Sequence, residues 1–156
     1  MDNANRELDA TFMKTFSLDE AQTLIPVLES LMKRAMQARE TAEGVEEDLQ
    51  GLSQRIFLQG GMLVPIAQVA RRRAEREVAV QQVKDTLQEI DSIGVQVKDI
   101  EKGLLDFPCR LGEETVLLCW KMGESEIQYW HTMESGFSGR QPIDERFRRG
   151  QKQRPN

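Results

Sequence analysis

The stretch LIPVLESLMKRAMQARETAEGVEEDLQGLSQRI, residues 24–56, decides the architecture. Leu24, Leu28, Leu31, Ala35, Ala38, Ala42, Val45, Leu49, Leu52 and Ile56 are separated by alternating fours and threes. A 3.5-residue period held over more than four heptads belongs to a helix whose apolar stripe faces another helix in a left-handed pair. Gly44 and Gly51 lie off the stripe and weaken the helix only locally.

The stretch has a start and a stop. In FSLDEA, residues 16–21, Ser17 can cap a helix with Glu20 reaching back, and Phe16 and Ala21 are placed as a hydrophobic staple. Pro26 removes one backbone donor and is expected to kink or restart the helix. Gly60-Gly61 is a turn, and a second helix is expected over residues 62–93 with Pro65 in its first turn. Its stripe is less regular: Leu63, Ile66, Ala67 and Ala70, then Val80, Val83, Leu87 and Ile90. Folding about Gly60 sets Leu49 against Ala70 and Leu28 near Ile90. Each arm of this antiparallel hairpin would run roughly 45 Å at 1.5 Å per residue. Two helices cannot cover both sides of such arms, so a second copy is the simplest partner, and a homodimer is expected.

Past Gly94 the composition shifts to short segments rich in β-branched and aromatic residues: VQVKD, GLLDF, ETVLLCW and EIQYWH. Glycines and Pro108 punctuate them, as in a small antiparallel meander over residues 95–132. The fold class expected is therefore α+β, a helical hairpin (18–58 and 62–93) plus a meander. One domain spans 12–143, with the hairpin over 17–93 and a sheet subdomain over 94–143; residues 1–11 and 144–156 are read as disordered tails.

A four-residue turn at LGEE pairs Arg110 with Thr115 and puts Asp106 opposite Cys119. For the next hairpin, Met122 facing Ile127 would set Trp120 opposite Tyr129. A loop one residue longer sets Trp120 opposite Trp130 and Cys119 opposite His131, and this second register is preferred. It gathers Leu105, Phe107, Val116, Leu118, Trp120 and Trp130 on one face, and Asp106, Cys119 and His131 on the other. A carboxylate, a thiol and an imidazole in one row can orient a nucleophile or hold a divalent metal. A one-residue slip would separate them.

Glu124 and Glu126, in the loop beside this row, add carboxylates suited to acid–base work or cation binding. Arg140, in GFSGR, is a candidate anion ligand. No CxxC or HExxH spacing occurs, and the chain holds one histidine, so a His-rich metal site is excluded. The run Arg71, Arg72, Arg73 and Arg76 is interleaved with Glu75 and Glu77, as on a solvated helix. The net charge of −5 argues against general nucleic-acid binding, although Arg146, Arg148, Arg149 and Arg154 give the C-terminus a basic patch. No apolar run reaches the ~18 residues a membrane crossing needs, the first residues lack a signal-peptide pattern, and the two cysteines read as free thiols; the cytoplasm is the expected location.

FSLDEAQTLIPVLESL at 16–31, GVQVKDIEKGLLDFP at 94–108, VLLCWKMGESEIQYWH at 116–131 and GFSGRQPI at 136–143 resemble an uncharacterised bacterial family, described only as a domain of unknown function, over residues 12–143. The resemblance implies that Lys98, Asp99, Gly103, Asp106, Phe107, Pro108, Cys119, Trp120, Gly123, Glu124, Trp130, His131, Gly136, Gly139 and Arg140 fall on family motif positions. It carries no activity with it. The expectation is a small interaction or ligand-binding module, not an enzyme, that self-associates through its helices. The alternatives are a metal-binding protein or enzyme built on Asp106, Cys119 and His131, and a nucleic-acid binder using the basic tail. No cofactor is expected beyond a possible divalent metal. Asp99 and Trp130 complete the residues of functional interest.

Overall fold

The computed structural model describes residues 14–60 and 65–152. The fold is α+β. Helix α1, Leu18–Leu58, and helix α2, Ile66–Ile93, form the hairpin. Strands β1 (Gln96–Asp99), β2 (Leu104–Leu111), β3 (Glu114–Lys121), β4 (Tyr129–Thr132) and β5 (Gln141–Pro142) form one antiparallel sheet in chain order. Helix α3, Glu145–Lys152, follows.

The chain divides into two compact units. One joins the described residues as far as Ser30 to those from Glu89 onward; the other is Leu31–Gln88. The boundary between them cuts both helices. In the first unit the α1 start is fixed as its sequence indicates. Ser17 Oγ accepts the Glu20 amide at 3.2 Å, and Phe16 and Ala21 are both buried. The helix continues through Pro26 without restarting.

Along α1 every seam residue from Leu24 to Ile56 is buried or half-buried. Helix α2 departs from expectation. It begins four residues later, with Pro65 ahead of it accepting the Gln68 and Val69 amides; Met62 and Leu63 lie outside the described residues. Ile66, Ala67 and Ala70 are exposed, not seam residues. The expected Val80, Val83, Leu87 and Ile90 are buried or half-buried, and Val69, Arg72, Ala79 and Thr86 join them on the inward side. Arg72 is half-buried and Arg76, one turn on, is exposed, and a search for apolar periodicity passes over both. Arg72 pairs with Asp48, and Arg76 Nε meets Glu46 at 2.9 Å. These ion pairs fall within a turn of the expected register. They are exposed, and each contributes at most about 1 kcal/mol. Thr86 hands its hydroxyl proton to the Gln82 carbonyl at 2.7 Å, so its burial leaves no donor unmet.

Strands β2 and β3 are buried on both faces over Leu104–Cys109 and Val116–Trp120. That explains their nearly unbroken apolar sequence. Phe107 meets Phe16 edge-on at 5.9 Å, and the Phe16 amide donates to the Pro108 carbonyl at 2.7 Å. The C-terminal segment is a second correction. It was expected as a disordered tail, but Glu145–Lys152 is helical, and Phe147 is buried with its ring 5.5 Å from Trp130. One aromatic residue inside a basic run is enough to dock it.

Candidate metal centre

Asp106, Cys119 and His131 stand in the interiors of β2, β3 and β4. Each is within 2% of full burial. Asp106 interrupts the apolar run LLDFPC, and a carboxylate in such a strand is costly unless it is paired. The β2–β3 register puts Arg110 opposite Thr115 and Asp106 opposite Cys119, as the LGEE turn dictates.

The β3–β4 register differs from both sequence readings. Leu118 faces Trp130, Leu117 faces His131 and Cys119 faces Tyr129. The preferred register is off by two residues. The cause lies in residues 122–128, which form a wide loop in place of a tight turn. Glu124 accepts the Lys121 amide with its carboxylate and the Trp120 indole N–H with its carbonyl. Gln22, from α1, takes the Ile127 amide at 2.9 Å. A shift of two preserves the face, because side chains alternate with period two. His131 therefore stays on the side of Asp106 and Cys119 and reaches them diagonally. One ligand atom from each of the three residues lies within 4.8 Å of the others.

His131 Nε2 is 3.0 Å from Asp106 Oδ2, and Nδ1 is 2.8 Å from the Thr132 carbonyl. A carbonyl only accepts, so Nδ1 carries a proton and Nε2 faces the carboxylate. Asp106 Oδ1 is buried with no hydrogen-bond partner. Burial, and then the charge of Asp106, push the Cys119 thiol up from its ordinary 9.0 to about 12, against the pull of Arg140. At neutral pH the metal-free thiol keeps its proton and is a poor nucleophile.

The other sequence candidates are distributed around this cluster or away from it. Arg140 lies beside it, donating through Nη2 to the Cys119 carbonyl at 3.4 Å and to Glu124 at 2.8 and 3.0 Å. Its guanidinium sits 4.1 Å from the Tyr129 ring centroid and 4.8 Å from that of Phe137. Glu124 thus matches the charge that an anion would need. Glu126 is exposed and lines a separate cleft of about 390 Å³ with Asp19 and Arg148. Asp99 accepts the Lys102 amide at 2.9 Å and shapes the β1–β2 turn. Trp130 is on the opposite sheet face, its indole donating to the Pro142 carbonyl at 3.2 Å. Arg146 is committed to Asp144 and to the Trp130 ring.

Among the described residues, no helix is long and apolar enough to cross a membrane. No curated protein and no solved structure matches the chain. Residues 14–143 match the family described as "Uncharacterized conserved protein (DUF2203)", and the chain belongs to that family.

Proposed function

We propose that this chain is a metal-binding protein whose ion sits among Asp106, Cys119 and His131. The observation that carries the reading is the convergence of three ligand-type side chains, one per strand, within 4.8 Å in a buried site. Two features support it. Asp106 Oδ1 has no partner, which a buried carboxylate oxygen seldom tolerates. The Thr132 carbonyl holds the His131 Nδ1 proton, the outer contact that metal-bound imidazoles usually make. Thiolate and carboxylate together carry two negative charges, which suits a divalent cation. The test is elemental analysis of full-length protein purified from its own host, beside Asp106→Asn and His131→Asn. About one metal per wild-type chain and far less in the variants is the expected result. A metal-free wild type that also takes up no metal on dialysis would defeat the reading.

A second reading is self-association through α1 and α2. Phe57, Leu58, Ile66 and Val78 are 85, 79, 78 and 60% exposed, which leaves apolar surface on the hairpin for a second copy. Sedimentation equilibrium decides it: a monomer across the whole concentration range removes it.

A further inference from the structure

We infer that the ion is a thiophilic divalent metal of the zinc or cobalt class, and that it acts as a structural clasp across β2, β3 and β4. This rests on reading the cluster as a metal site, and it specifies the ion and its role.

The donor set selects the ion. Magnesium and calcium want six or more oxygens, and Mg²⁺ keeps several waters. Here the cluster offers one sulfur, one imidazole nitrogen and one carboxylate. Sulfur and imidazole together favour zinc-like ions. The number of donors follows from the carboxylate. Asp106 Oδ2 faces His131, and Oδ1 is buried with no partner. If both oxygens bind, the second is a close contact from the same carboxylate, and three residues supply a distorted four-donor shell. Bonds of roughly 2.0–2.3 Å require ligand atoms about 3.5 Å apart, so the longest separation, at most 4.8 Å, closes by about 1 Å.

The role follows from placement. Each donor belongs to a different neighbouring strand, so one ion ties the middle of the sheet together. The three side chains are at most 2% exposed, which gives a substrate no path to the metal. A closed shell of this kind is the pattern of structural sites, whereas catalytic sites keep a position open.

Full-length protein stripped with chelator and titrated with Co²⁺ tests this. The expected result is one cobalt per chain, thiolate-to-cobalt charge-transfer absorption in the near ultraviolet, and the strong visible bands of tetrahedral cobalt. Zn²⁺ should bleach both, and millimolar Mg²⁺ or Ca²⁺ should not. Saturating Zn²⁺ should raise Tm by roughly 5–10 °C. Cys119→Ser should lose the charge-transfer band. Whether or not that variant folds, the wild-type spectrum alone is decisive. One cobalt bound without the thiolate band, or with weak octahedral bands, or displaced by Mg²⁺, overturns the class while leaving the metal reading intact. Zinc uptake with no change in Tm overturns the clasp. No uptake of any ion overturns both.

Discussion

Replacing His131 with Phe keeps an aromatic ring in β4 and deletes the partner of Asp106. Oδ2 then loses its 3.0 Å contact, and Oδ1 is already alone. The carboxylate remains about 2% exposed, so water cannot replace the imidazole. Breaking a buried pair by removing one member costs about 3–5 kcal/mol, because an uncompensated charge is left inside. For a chain of this length each kcal/mol lowers Tm by roughly 2–4 °C, so a fall of about 6–20 °C is expected. The double variant Asp106→Leu, His131→Phe removes the charge as well, and should recover most of the loss. Urea unfolding of the wild type, His131→Phe, Asp106→Leu and the double variant, with chelator present to exclude metal, gives the coupling energy directly. Agreement of m-values shows that the same transition is compared. A single variant costing less than about 1 kcal/mol, or a double variant equal to the sum of the singles, would refute the picture of a buried, coupled pair.

The raised Cys119 value predicts a specific alkaline behaviour. The folded state keeps the thiol proton to about 12, whereas the unfolded chain releases it near 9.0. The stability this contributes is complete below pH 9 and is lost as pH rises from there toward 12. Cys119→Ala should flatten that fall, as read by urea midpoints at pH 8, 9.5 and 10.5; parallel curves for the two proteins would remove the argument. Phe147→Ala should cost about 3–5 kcal/mol, because it empties a buried aromatic site against Trp130. A change below about 1 kcal/mol in thermal or urea unfolding would mean that α3 is not docked.

The hairpin was legible because α1 carries its seam in apolar residues from Leu24 to Ile56. The later half of the α2 seam was legible too, in Val80, Val83, Leu87 and Ile90; its start was not, because there Arg72 and Arg76 answer Asp48 and Glu46, acids two dozen or more residues earlier. The pairing of Asp106 with Cys119 follows from one four-residue turn. The position of His131 depends on a loop held by Gln22, which lies 105 residues from Ile127 in the chain. No local pattern reports such a contact. Even so, the face His131 occupies follows from the two-residue period, which tolerates an error of two and not of one. The partnerless Oδ1 of Asp106 has a sequence trace after all: a lone acid within six residues that otherwise read as strand core. Phe147 was missed because its basic neighbours, not its ring, set the reading of the tail.

Ser30 and Glu89 belong to the same unit, so Leu31–Gln88 leaves that unit and returns to it. In polymer terms this stretch closes a loop, and it does so as a paired hairpin rather than a floppy chain. The entropy of bringing Ser30 and Glu89 together is set by the arms' own pairing, not by how many residues lie between. Adding seven residues to each arm keeps every seam position on its face. A change of that size in the excursion therefore leaves the pairing of its arms intact.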